Sequence, residues 1–122
     1  MIHDPKGHIS LHPHSRRVRV LIGETVIADT QGAIELREQG YPPRQYIPRQ
    51  DVDMSRLASS EKVTHCPFKG DATYYSIEGK SENLTDAVWS YEQPFDAMTD
   101  IAGYLAFDTQ VVEEKMEEKV DQ

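Results

Sequence analysis

The only cysteine, Cys66, lies in the run Thr64-His65-Cys66-Pro67-Phe68-Lys69-Gly70. A cysteine attacks as its thiolate, which a nearby cation favours, and Lys69 three residues on could supply that charge. His65 helps less than its adjacency suggests, because successive side chains of an extended chain point to opposite faces. The competing reading is a buried structural thiol, since free cysteine is among the most buried residue types. Lys69 also has two readings. Pro67 and Gly70 frame a turn that throws it to one side, where it could face an anionic ligand while Gly70 lets backbone N–H groups come close. Otherwise it is a solvated lysine at a strand entry. The longer glycine-rich pattern of a phosphate loop is missing.

Arg44, Tyr46, Trp89 and Tyr91 form a second group. A guanidinium with aromatic rings is what a pocket for an aromatic or anionic small molecule contains. The same aromatics in a small β domain can equally be core. Trp89 and Tyr91 are two apart on an expected strand, so they share one side. Asp51 and Asp53 could hold a divalent metal for phosphoryl or nucleotidyl transfer, but helix capping by Asp51 explains the pair as well. His3, His8, His12 and His14 fall in a stretch expected to bind metals only adventitiously. No structural or catalytic metal and no cofactor is therefore expected.

The elements that position these residues read mainly as strands. Val18, Val20 and Ile22 alternate with Arg17, Arg19 and Leu21, as in a half-buried strand. Gly23-Glu24 and Asp29-Thr30-Gln31-Gly32 are turn signals, so strands over Thr25 to Asp29 and Ala33 to Arg37 complete an expected meander. The Pro-rich segment from Gly40 to Pro48 cannot be a regular helix. A short helical turn carrying Met54 and Leu57 follows. Strands are expected over Gly70 to Ile77 and Leu84 to Tyr91, joined by a polar turn. Asp96 is the expected cap of a helix with Met98, Ile101, Ala102 and Leu105 on one face, unless Gly103 ends it and Tyr104 to Phe107 becomes a strand.

The 122 residues suit one domain. Residues 1–15, rich in Pro, Gly and His, read as a flexible arm; 16–108 as the β-rich domain; 109–122 as an acidic tail. In that tail Glu113/Glu117, Glu114/Glu118 and Lys115/Lys119 are like-charged pairs four apart, which oppose a helix. Thirteen Lys plus Arg against 21 Asp plus Glu give a net charge of −8. That sign disfavours nucleic acid and anionic membranes as partners. One cysteine forms no intrachain disulfide and no Cys-x-x-Cys zinc site. No apolar run is long enough to span a bilayer, and the N-terminus lacks a signal-peptide core, so a cytoplasmic setting is expected.

Several runs together carry a resemblance. They are Pro43-Arg44-Gln45-Tyr46-Ile47-Pro48, Asp51-Val52, Thr64 to Gly70 with Ala72 and Tyr74-Tyr75, Ala87-Val88-Trp89-Ser90-Tyr91 with Pro94, and Ile101 to Phe107. Over roughly Arg16 to Phe107 the chain resembles the domain of unknown function 427 family. The resemblance implies a compact antiparallel β structure of the Mss4-like, or β-tent, kind. Relatives of that shape often hold zinc on two Cys-x-x-Cys pairs, which this chain lacks. The family has been labelled a possible nucleotidyltransferase domain, and the motif positions shared with it include Tyr46, Cys66, Lys69, Gly70, Tyr74, Trp89 and Tyr91. Phe68 and Asp108-Thr109-Gln110 depart from its usual pattern.

Three functions remain open on these residues. One is a small-ligand binding domain using Arg44, Tyr46, Lys69, Trp89 and Tyr91. The others are an enzyme using Cys66 and Lys69, and a structural or interaction module in which the motifs only build the fold.

Overall fold

A computed structural model describes residues 2–3, 8–79 and 84–117. Among these residues eleven strands run in chain order: β1 (Ile2–His3), β2 (Ile9–Pro13), β3 (Val18–Ile22), β4 (Thr25–Thr30), β5 (Ile34–Glu38), β6 (Arg44–Tyr46), β7 (Leu57–Cys66), β8 (Gly70–Ile77), β9 (Val88–Ser90), β10 (Leu105–Phe107) and β11 (Glu113–Met116). All pairings between them are antiparallel. They make an outer sheet β1-β2-β5-β6, a central sheet β10-β9-β8-β7 and a small sheet β11-β3-β4. The mainly-β, single-domain expectation holds. No helix among the described residues is long and apolar enough to cross a membrane.

Period-two alternation explains why the central sheet is covered on both faces. Val88, Leu105, Phe107 and Ile77 point one way and pack with Val18, Val20 and Ile27 of the small sheet. Ala72, Ala106, Tyr74 and Trp89 point the other way, towards Ile9, Leu11, Ile34, Leu36 and Tyr46 of the outer sheet. Two alanines on that face leave room for large rings from the opposite side. The outer and central sheets meet at a seam where Ile47 and Leu105 exchange both backbone hydrogen bonds, each 2.8 Å.

The expected meander stops after one hairpin. β3 pairs β4, with a register shift at Val20/Leu21, but β5 leaves to pair β2 and β6. Residues 9–13 are therefore not an arm. Ile9 and Leu11, 1% and 0% exposed, anchor β2 in the core, a short alternation hidden among His and Pro. Nor is the tail wholly free, because β11 adds to β3 with Glu114 opposite Val20 and Met116 opposite Val18. The polar ten-residue β7 was not expected at all; β8 pairs with it along most of its length. Leu84 to Tyr91 contributes only Val88–Ser90 as strand, and the polar turn before it falls partly outside the described residues.

Among the described residues, helical structure is limited to short 3-10 turns. Asp53, not Asp51, caps Met54–Arg56 by accepting from the Ser55 N–H. Asp96–Ile101 buries Met98 and Ile101 but has no side-chain cap, and it ends before Gly103 (φ 76°), after which β10 begins. The alternative reading of that segment is thus the observed one.

Candidate functional site

The Thr64–Tyr75 segment is a hairpin, the end of β7 turning into β8 with Cys66 paired to Gly70. The turn closes with the Lys69 N–H on the Cys66 carbonyl at 3.2 Å. Gly70 has φ +113°, and a Cβ there would lie 3.3 Å from Pro94 Cα and 3.4 Å from Phe95 N. Its role is close backbone packing against residues 93–95, where the Phe95 N–H also reaches the Lys69 carbonyl at 3.0 Å. This replaces the ligand-approach role expected of Gly70. Gly70→Ala is expected to cost about 1–3 kcal/mol, because no L side chain adopts that φ without strain and the neighbours are backbone. Urea denaturation checks this, and an unchanged midpoint would remove the packing argument.

His65 and Cys66 do diverge. The His65 ring is exposed and its Nδ1 lies 2.8 Å from Asp71 Oδ1 across the hairpin. Cys66 turns inward and lines a cleft of about 540 Å³ between the outer and central sheets, within the size range of small-molecule sites. Leu36 and Glu38 of β5 and Arg44 and Tyr46 of β6 form one wall. Lys62, Cys66, Tyr74 and Trp89 of the central sheet form the other, with Tyr91 and Lys69 at one end and Asp86 and Asp108 also lining it. All five residues nominated for ligand binding, and Cys66, line this one cleft.

The wall of β5 and β6 follows from register. Leu36 pairs Arg44 and Ile34 pairs Tyr46, so Arg44 and Tyr46 share the inward face. Across the gap Tyr74 pairs Trp89, putting their rings side by side with centroids 6.4 Å apart and planes at 42°. The Arg44 guanidinium lies 5.0 Å from the Trp89 ring centre and the Lys62 ammonium 4.6 Å from that of Tyr74. Arg44 Nη1 is fixed by the Phe107 carbonyl at 2.9 Å. The Trp89 indole N–H donates to the Tyr46 hydroxyl at 3.2 Å. Burial pushes the Tyr46 phenol up to about 12, and burial drives that of Tyr91 up as well. Both phenols stay neutral at physiological pH.

Lys69 is neither a solvated lysine nor an unengaged cation. Its ammonium donates to Glu38 Oε1 at 2.9 Å, with side chains 12% and 20% exposed, and lies 5.6 Å from the Tyr91 ring centre. Glu38 was missed, because nothing local links it to a lysine 31 residues away. Tyr74, Lys62, Asp86 and Asp108 were missed as cleft residues for the same reason.

Asp51 and Asp53 do not act together. Asp51 Oδ2 accepts from the Thr30 hydroxyl at 2.6 Å, and Asp53 caps its own turn. Of the N-terminal histidines, His12 bonds Ser10 at 2.6 Å and His14 bonds Gln45 at 2.7 Å. The His8 ring stands edge-on to Phe68 at 5.4 Å. The side chain of His3 lies outside the described residues.

Fold and cleft together define a three-sheet antiparallel β domain with an aromatic- and charge-lined cleft between two of its sheets. The chain belongs to the domain of unknown function 427 family (DUF427), whose pattern matches residues 10–121. That match spans β3 to β11 and most of β2. No curated protein matches the chain.

Proposed function

We propose that the cleft between the outer and central sheets binds a small anionic or aromatic molecule. The observation that carries this reading is that Arg44, Tyr46, Lys69, Trp89 and Tyr91, drawn from separate elements, line one cavity of ligand size. Trp89 and Tyr74 offer ring faces for stacking, and Arg44 keeps guanidinium N–H groups beyond the one bonded to Phe107. A net charge of −8 favours a small molecule over a nucleic acid as the partner.

The enzymatic reading through Cys66 and Lys69 has less support, because the cation it needs is engaged by Glu38. The nucleotidyltransferase label has none from Asp51 and Asp53, which bond elsewhere and do not line the cleft.

Trp89 is the only tryptophan, so its fluorescence reports on this cleft. Against a panel of aromatic acids, nucleotides and uncharged aromatics, at least one compound is expected to shift its emission and raise the melting temperature. A ligand at 100 times its Kd stabilises by about 2.7 kcal/mol, or several degrees. Arg44→Ala should weaken the response. If no compound moves either signal, the binding reading fails.

A further inference from the structure

We propose that the ligand of this cleft is amphoteric: a flat ring bearing one anionic group and one cationic group, not a polyanion. This deepens the binding reading above and rests on it.

Three cations, Arg44, Lys62 and Lys69, and three carboxylates, Glu38, Asp86 and Asp108, line the cleft. Lys69 and Glu38 satisfy each other at 2.9 Å. Among the described residues, the other four form no ion pair. The two cations sit over ring faces instead. The carboxylates are held by single contacts: Asp86 Oδ1 accepts from the Ser60 hydroxyl, and Asp108 Oδ1 from the Gln110 N–H at 2.9 Å. Each leaves its second oxygen with no partner among the described residues.

Hydrogen bonds link the segments that carry the four charges. Asp108 follows Phe107, whose carbonyl holds Arg44, and its own N–H bonds the Ala87 carbonyl next to Asp86. Ser60, which donates to Asp86, also accepts the Lys62 backbone N–H at 3.2 Å. Asp86 is the only non-glycine residue with positive φ, 56°, among those described, a conformation that other contacts must hold in place.

Charges of both signs that stay apart in a concave site are complemented by a ligand carrying both signs. A polyphosphate would meet as many carboxylates as cations, and like charges brought together there oppose binding. A ring on the Trp89–Tyr74 platform with a carboxylate towards Arg44 and an ammonium towards Asp108 or Asp86 meets one unpaired group of each sign, leaving Lys62 and the other aspartate to solvent.

Phenylalanine, 3-phenylpropionate and 2-phenylethylamine share a ring and differ only in charge, and ATP supplies the polyanion. The Trp89 indole N–H resonance, unique in the chain, follows each titration. Phenylalanine is expected to bind about tenfold tighter than either singly charged analogue, the worth of one charge-assisted hydrogen bond, with ATP weakest. Asp108→Asn, which retains a cap for Gln110, should remove the advantage of phenylalanine over 3-phenylpropionate without weakening the latter; Asp86→Asn is the companion variant. Equal affinity for phenylalanine and 3-phenylpropionate, or ATP binding tightest, overturns the amphoteric ligand and leaves cleft binding intact. No shift with any probe, while another compound still moves Trp89 fluorescence, also overturns it. No response to any compound by either method removes both readings.

Discussion

Replacing Tyr46 by alanine is expected to cost about 3–5 kcal/mol, a large part of the 5–15 kcal/mol that stabilises a domain of this size. Tyr46 is 2% exposed and is the largest of the fully buried side chains. Its ring belongs to the same buried cluster as Ala72 and Ala106 of the central sheet, and it lies 6.4 Å from that of Tyr91. The next residue, Ile47, forms the backbone seam with Leu105. Truncation therefore opens a void where the two sheets join, and little around it can collapse to fill it. Tyr46→Phe keeps the ring and removes only the acceptor of the Trp89 N–H, for about 1 kcal/mol. Equilibrium unfolding in urea separates the two variants. If Tyr46→Ala costs no more than Tyr46→Phe, the ring is not packed between the sheets as described. Because Trp89 emission senses the lost hydrogen bond, Tyr46→Phe should also alter the folded-state spectrum without altering the midpoint by much.

What could be read in advance depended on whether the signal was local. Val18–Ile22 and Gly70–Ile77 were legible because one face of each is apolar or aromatic and turn residues bound them. β7 was not, since Leu57–Cys66 has one face in water and the other on a polar cleft, and no alternation survives. Its strand character comes from pairing with β8. β11 was hidden by its charges. Glu113 to Met116 looks like a poor helix, yet the inward pair Glu114 and Met116 has the period of a strand. The partner of β5 could not be foreseen, because pairing with β2 instead of β4 is decided by burial of Ile9 and Leu11, far away in sequence. The cleft shows the same division. Its aromatic and cationic members were legible by type, whereas Glu38, Asp86 and Asp108 become cleft residues only through pairings formed over long separations.

The inward position of Glu114 has a measurable consequence for stability against pH. Burial pushes its carboxyl from 4.5 up to about 7, opposed only by the charge of Arg44. One of its oxygens, Oε2, is buried without a hydrogen-bond partner among the described residues. In the unfolded chain the carboxyl loses its proton near 4.5, while in the folded protein it keeps it to about 7. Between these values the folded state binds the extra proton, so stability falls as pH rises through this window and stays reduced above it. The linkage corresponds to ~3 kcal/mol before screening, and partial solvent access trims it to about 1–2 kcal/mol. Glu114→Gln retains the shape and cannot ionise. It should match the native protein near pH 4.5 and exceed it in stability by about 1–2 kcal/mol at pH 8. Unfolding midpoints measured from pH 4 to 8 for both proteins give the answer. Parallel curves would mean that Glu114 titrates as an exposed carboxyl and that β11 does not carry it inward. Arg44, whose charge acts on Glu114, also lines the cleft, so ionisation of Glu114 in the folded protein should reduce anion affinity as pH rises through about 7, and Glu114→Gln should abolish that step.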